Sequence, residues 1–194
     1  MDTWRAAHAG HVVDRLAGLL QERGYSLGPL PQGGDGVLAT MRGHSLGRLF
    51  PYTDFIFLHD LDLSRVASGE ALEALHERNR VWAESQMRVP RALRYRVPNT
   101  VTVGVTAIGA SEDMRLVASR ERRSVNTGEK NSVYLVDTAA GRAWSHGLEQ
   151  DPIRFGGTWT PNVNPSNRTA RLLAGVIGEL GAVMSASGVA PDEG

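Results

Sequence analysis

The sequence predicts an α/β fold: a single domain in which about four helices pack on a mixed parallel and antiparallel sheet. Helical and strand-like segments alternate along most of the chain. Some neighbouring strand-like segments are separated by a short turn, which favours antiparallel hairpins, whereas others are separated by a helix, which favours parallel crossovers. A mixed α+β arrangement stays open, because the pattern does not fix how every strand pairs.

Composition indicates an ordinary globular domain. Of the 194 residues, 41% are hydrophobic and 22% are charged, so residues 1–194 are expected to share one core, with frayed ends at 1–2 and 189–194. Basic and acidic residues number 21 each, which leaves no net charge to attract nucleic acid. The absence of cysteine excludes disulfides and thiolate chemistry. The first residues lack a signal-peptide pattern, so a cytoplasmic protein is expected.

The first third of the chain predicts one helix, one loop and two strands. Residues 3–23 carry an apolar stripe with helical spacing. Residues 27–36 are rich in glycine and proline and are predicted to be a loop. Residues 37–41 and 49–59 are predicted strands. The continuous apolar run Phe55–Leu58 is typical of a strand that is covered on both faces.

The middle of the chain predicts two helices and three more strands. A helix over 70–87 has apolar residues on one side and charged residues on the other. The β-branched run 100–106 is a predicted strand, followed by a short helix over 110–119. Residues 132–136 and 142–146 are expected to form a hairpin around an Asp-Thr-Ala-Ala-Gly turn.

The last part of the chain combines an irregular segment with a helix. Residues 148–164 contain several glycines and prolines, and residues 165–185 are predicted to be helical. The stretch 172–190 is apolar enough for a membrane span to be considered. Its glycines and serines dilute the apolar character and no aromatic residues flank it, so we expect a packed helix and no membrane span.

An acidic cluster forms the first candidate site. Asp54 precedes the apolar run, and His59, Asp60 and Asp62 lie at its end. Carboxylates at the carboxyl end of a strand often hold metal ions or act as general bases. Asp54, Asp60 and Asp62 are therefore candidate ligands of a divalent metal ion. The simpler interpretation is a solvated turn in which an aspartate accepts backbone hydrogen bonds.

A second candidate site surrounds the predicted hairpin. It comprises Glu129, Lys130, Asp137 and His146. Carboxylates with a lysine on successive strands are typical of metal-dependent nucleases. Glu129 and Lys130 are adjacent, however, and would point to opposite sides of a strand. Asp137 is explained equally well as a turn residue, and His146 is a possible acid/base partner for it.

Two further features suggest binding. Basic residues cluster before and after the predicted strand 100–106, and they would form a patch for phosphate or an acidic partner if both groups emerge on one side of the sheet. The members of this arginine patch are Arg88, Arg91, Arg94, Arg96, Arg120, Arg122, Arg123 and Lys130. The glycine-rich loop with Phe155 and Trp159 suits a partner-binding surface, although these aromatics could equally fill the edge of the core.

Three hypotheses about function follow from these features. The leading hypothesis is a non-catalytic interaction or accessory module that binds a protein partner or a copy of itself through the arginine patch and the Phe155–Trp159 loop. Nucleic acid is a further possible partner of the patch. The main alternative is a metal-dependent phosphoesterase or nuclease that uses the acidic cluster, with the arginine patch binding phosphate. The third option is a regulatory domain that binds a small anionic ligand at the arginine patch. No cofactor is evident, and a divalent metal ion is expected only for the main alternative.

Overall fold

A computed structural model of the protein describes residues 2–44, 51–87, 97–122, 130–146, 172–173 and 175–177. It confirms the predicted class: an α/β fold with a mixed six-stranded sheet and four helices. Residues 172–173 and 175–177 are the described part of the fourth helix. The other elements are α1 (Asp2–Glu22), β1 (Ser26–Pro29), β2 (Gly36–His44), β3 (Pro51–Asp60), α2 (Gly69–Ser85), β4 (Val97–Thr106), α3 (Glu112–Ser119), β5 (Lys130–Asp137) and β6 (Arg142–Trp144).

The six strands lie in the sheet in the order in which they occur along the chain. β1, β2 and β3 form an antiparallel meander, and β6 returns antiparallel to β5. β3, β4 and β5 run parallel, because α2 and α3 carry the chain back between them. The amino ends of these three strands therefore share one edge of the sheet, and their carboxyl ends share the opposite edge.

Helices cover both faces of the sheet. α1 and the described part of the fourth helix pack on one face, where they meet Ile56, Leu58 and Val103. α2 and α3 pack on the other face, where Leu135 joins their apolar residues. The run Phe55–Leu58 is buried throughout, as predicted, since its side chains alternate between the two cores.

One strand contradicts the prediction. Ser26–Pro29 overlaps the segment 27–36 that was expected to be a loop, yet it pairs with β2 as the edge strand β1. The prediction was wrong because Gly28 and Pro29 have low strand propensity, whereas hydrogen bonds to β2 decide the conformation. A proline is tolerated there because an edge strand has a side that needs no N–H donor.

The described helices include none that is long and apolar enough to cross a membrane. Most of the stretch 172–190, which was considered as a span from the sequence, lies outside the described residues.

Candidate functional site

The candidate residues are divided between two edges of the sheet. At the amino edge, where β3, β4 and β5 begin, Asp54 pairs with Asn99, and Asn99 pairs with Lys130. At the carboxyl edge, where the same strands end, lie Asp60 and Asp137. Asp54 and Asp60 are separated by six residues of one strand, which corresponds to about 20 Å. The structure therefore does not bring them together.

Two carboxylates at the carboxyl edge hold the loop between β4 and α3. Asp62 accepts hydrogen bonds from the Thr106 hydroxyl (2.6 Å) and the Ala107 amide (2.7 Å). Asp137 accepts from the amides of Ala110 (2.8 Å) and Ala140 (2.9 Å). These carboxylates serve as turn acceptors, which is the simpler of the two roles considered from the sequence.

Asp60 has one carboxylate oxygen that accepts hydrogen bonds and one that does not, within the described residues. Its Oδ1 accepts from the amides of Asp62 and Leu63, both at 3.0 Å. Its Oδ2 is buried, has no hydrogen-bond partner in the described part of the chain, and faces Gly10 of α1. Burial raises the pKa of Asp60, and the charges of Asp62 and Asp35 act in the same direction, whereas the backbone donors oppose them.

His59 belongs to a buried polar network between the sheet and α2. Its Nε2 lies 2.9 Å from Nδ2 of Asn79, and because an amide nitrogen only donates, this ring nitrogen accepts. Asn79 also donates to Thr102 Oγ1 (3.0 Å), which lies 2.9 Å from Nδ1 of His76. Nε2 of His76 is buried and finds no partner among the described residues.

Both histidines of this network are neutral at pH 7. Burial lowers the pKa of His59 to about 4, with the charge of Arg78 acting in the same direction. Burial likewise lowers the pKa of His76 to about 4, with the charge of Arg122 acting in the same direction. A neutral, enclosed imidazole without access to solvent indicates a structural role for His59.

Asp54 forms a second buried network at the amino edge. The Tyr25 hydroxyl donates to Asp54 Oδ2 and the Asn99 amide donates to Oδ1, both at 2.9 Å. Only 2% of Asp54 is exposed. A buried carboxylate is tolerable there because both oxygens receive donors.

The possible acid/base pair of Asp137 and His146 does not form in the described hairpin, where both carboxylate oxygens of Asp137 accept from backbone amides. Asp137 pairs with Arg142 in the register of β5 and β6, whereas His146 lies beyond the end of β6 and is exposed. Glu129 lies outside the described residues, and of Lys130 only the backbone is described.

The two described arginines of the arginine patch differ in role. Arg122 donates to Glu73 Oε2 (2.5 Å) and to the Val117 carbonyl (2.9 Å), so it ties the end of α3 to α2. Arg120 reaches Glu73 only at 3.9 Å, and 61% of its side chain is exposed. Arg120 is therefore the one of the two whose side chain is presented to solvent.

The remaining binding candidates lie outside the described residues; they are Arg88, Arg91, Arg94, Arg96, Arg123, Phe155 and Trp159. The described elements nevertheless fix where the basic segments begin and end. The chain leaves α2 at Ser85 and enters β4 at Val97; it leaves α3 at Ser119 and enters β5 at Lys130. All four points lie towards the amino edge, because α2 and α3 each return the chain to the beginning of a parallel strand.

The candidate metal ligands do not converge within the described ranges. No group of three histidine, aspartate or glutamate side chains there could hold a metal ion. Asp60 and Asp62 are neighbours at the carboxyl edge, but both oxygens of Asp62 accept hydrogen bonds from the β4–α3 loop, and Asp54 lies at the other edge.

Most members of the two buried networks were not predicted from the sequence. They are Tyr25, His76, Asn79, Asn99 and Thr102. One signal was available: His76 and Asn79 continue the inward stripe of α2 that starts at Leu72 and Leu75. Polar residues on such a stripe need partners in the sheet.

Comparison with protein-family models, with curated proteins and with solved structures finds no significant match.

Proposed function

We propose that this protein is a non-catalytic binding module that uses the amino edge of its sheet to bind an acidic surface of a protein partner. One observation carries the proposal: Asn99 of β4 pairs directly with Lys130 of β5. The two strands that follow segments 88–96 and 120–129 in the chain therefore lie next to each other at the amino edge. Most of the basic residues of the arginine patch belong to these two segments.

Arginine suits this role for chemical reasons. Segment 88–96 has four arginines in nine residues, and segment 120–123 has three more. A guanidinium group binds a carboxylate through two parallel hydrogen bonds, which gives geometric specificity as well as attraction. Arg122 already donates a hydrogen bond to Glu73 within the chain, so its neighbours are the ones proposed to bind a partner.

The overall charge favours a protein partner over nucleic acid. The chain has 21 basic and 21 acidic residues and a pI of about 7.0. Domains that bind nucleic acid are usually basic, because affinity for the phosphate backbone comes largely from the release of counterions by many cations. A local arginine patch on a neutral protein is better suited to a local acidic patch on another protein.

The hydrolase alternative receives less support from the geometry. Asp54 and Asp60 lie about 20 Å apart along β3, whereas carboxylates that share metal ions must meet within a few ångströms. Asp62 and Asp137 are engaged with backbone amides. The hydrolase hypothesis has a separate test: it requires that Asp60→Ala abolishes cleavage of nucleic acid in the presence of Mg²⁺ or Mn²⁺.

The binding proposal is tested with fluorescence anisotropy. The probes are a labelled poly-glutamate peptide and a DNA duplex of similar charge, titrated with the protein at several salt concentrations. We expect the peptide to bind, binding to weaken as salt rises, and Arg91→Glu/Arg94→Glu to abolish it. The matched control Arg15→Glu/Arg65→Glu reverses two exposed arginines that do not belong to the arginine patch and should bind as the wild type does.

Three outcomes would overturn the proposal. The peptide could fail to bind at low salt, the two double variants could lose the same affinity, or the duplex could bind more tightly than the peptide. The last result would reassign the arginine patch to nucleic acid.

A further inference from the structure

The carboxyl edge carries apolar side chains that are exposed to solvent. Leu63 is 53% exposed and Ile108 is 62% exposed. They lie on neighbouring loops, because Asp62 accepts a hydrogen bond from the Ala107 amide at 2.7 Å. Large apolar side chains exposed on neighbouring loops at one edge of a protein often mark a contact with another protein.

Acidic residues adjoin this apolar pair. Asp113 accepts a hydrogen bond from the Gly69 amide at 2.6 Å, which brings the starts of α2 and α3 together. The exposed residues Glu70 and Glu112 flank that contact. We name Leu63, Glu70, Ile108 and Glu112 the carboxyl-edge surface. The basic residues nearby are Arg65, which is exposed, Arg115, which lies over the Trp144 ring, and Arg142 in β6.

Segment 88–96 is complementary in charge and apolar character to the carboxyl-edge surface. It reads Arg-Val-Pro-Arg-Ala-Leu-Arg-Tyr-Arg, so four cations alternate with Val89, Leu93 and Tyr95. The apolar residues match Leu63 and Ile108, and the arginines match Glu70 and Glu112. Complementary charge of this kind directs association and fixes orientation.

The segment cannot reach the carboxyl-edge surface of its own chain. Its ends are fixed at Met87 and Val97, near the amino edge. A loop of nine residues that leaves and returns extends at most about 17 Å. The ten residues of β4 separate the two edges by about 30 Å.

We infer that the carboxyl-edge surface binds segment 88–96 of a second copy of this chain. The inference rests on the proposed function, because it identifies the acidic partner as the protein itself. The two contacting surfaces differ and lie at opposite edges, so the association is head-to-tail and leaves one surface of each kind free at the ends. Assembly therefore continues with rising protein concentration, either as an open chain or until a ring closes.

Sedimentation velocity over a range of protein concentrations tests this inference. We expect the mean mass to rise with concentration at low salt and to rise less at about 0.15 M salt, where charges are screened beyond about 8 Å. Glu70→Arg/Glu112→Arg and Arg91→Glu/Arg94→Glu should each remain monomeric. The control Asp14→Arg/Glu22→Arg reverses two carboxylates on α1 and should assemble as the wild type does. Glu70→Gln/Glu112→Gln, which perturbs the helix ends less, should also weaken assembly.

A mixture of the two monomeric variants gives the sharpest result. The reversed surface of Glu70→Arg/Glu112→Arg is complementary to the reversed segment of Arg91→Glu/Arg94→Glu. The unchanged surface of Arg91→Glu/Arg94→Glu is likewise complementary to the unchanged segment 88–96 of Glu70→Arg/Glu112→Arg. Within either variant alone, the changed positions face like charges across the interface. We therefore expect the mixture, unlike either variant alone, to recover assembly that grows with protein concentration, with the two variants alternating.

The possible failures are distinguishable. A wild-type protein that stays monomeric while it still binds poly-glutamate would refute the inference and leave the proposed function standing. Loss of both activities would refute both. Assembly that survives reversal of Glu70 and Glu112, or a mixture that forms no complex, would show that the carboxyl-edge surface is not the contact.

Discussion

Acid should release α2 from the sheet, because the contact between them includes two buried neutral histidines. His59 and His76 have a pKa of about 4 in the folded protein, against 6.5 for the unfolded chain. Below pH 6.5 the unfolded chain binds more protons than the folded protein does. The free energy of unfolding therefore decreases as the pH is lowered. The loss is complete only below about pH 4, where the fold is protonated as well.

The size of the effect follows from these values. Between pH 7 and pH 5, each histidine reduces the free energy of unfolding by about 2 kcal/mol, so the pair reduces it by about 4 kcal/mol. Domains are stable by only about 5–15 kcal/mol, so a large share of the stability disappears within two pH units. Asp60 acts in the opposite sense, because its raised pKa favours the fold as pH falls.

Urea unfolding at pH 5, 6, 7 and 8, at constant ionic strength, measures the slope of the free energy of unfolding against pH. Trp82 packs edge-on against Phe55 and Phe57 at 5.7 Å, so its fluorescence reports the departure of α2. The variant His59→Gln/His76→Asn keeps polar atoms near those of the imidazoles and should lose most of the slope. His11→Gln, which removes an exposed histidine, should keep it. A double variant with the wild-type slope would refute the assignment.

Three further substitutions probe other positions. Asp60→Asn removes a buried charge and should therefore stabilise the protein at neutral pH. The difference in free energy of unfolding from the wild type should shrink as the pH falls and Asp60 becomes protonated. Equal urea midpoints at pH 7 would contradict this. Arg65 has a left-handed backbone (φ 53°), so Arg65→Gly should raise the free energy of unfolding by about 0.5–1 kcal/mol, whereas Arg65→Ala should not. Gly36→Ala should cost about 3 kcal/mol, since its Cβ would lie 2.0 Å from the Leu58 carbonyl oxygen; a thermal midpoint like that of the wild type would be inconsistent with this packing.

Periodicity was sufficient to predict most of the fold. The apolar stripe of α1, the continuous run in β3 and the β-branched run in β4 each reflect burial of a whole element, which sequence patterns record directly. β1 was not predicted, because a four-residue edge strand buries little apolar surface and its conformation depends on hydrogen bonds to its partner strand.

The sites were harder to predict because they depend on register. Asp54 and Asp60 are close in sequence, but one strand holds them at opposite edges. Asp54 meets Tyr25 and Asn99 only because three separate elements bring them together. Asp62 and Asp137 were correctly located near strand ends, yet whether a carboxylate there holds a loop or a metal ion depends on the amides that surround it.

The matching order of strands in space and in sequence has a consequence for synthesis. Each strand of the described sheet pairs with the strand made just before it, so no pairing waits for a distant part of the chain. The meander β1–β3 with α1 can assemble while the ribosome is still making α2. Each later crossover then adds one strand to a growing edge, which keeps the contacts local and shortens the time for which an unpaired strand is exposed to aggregation.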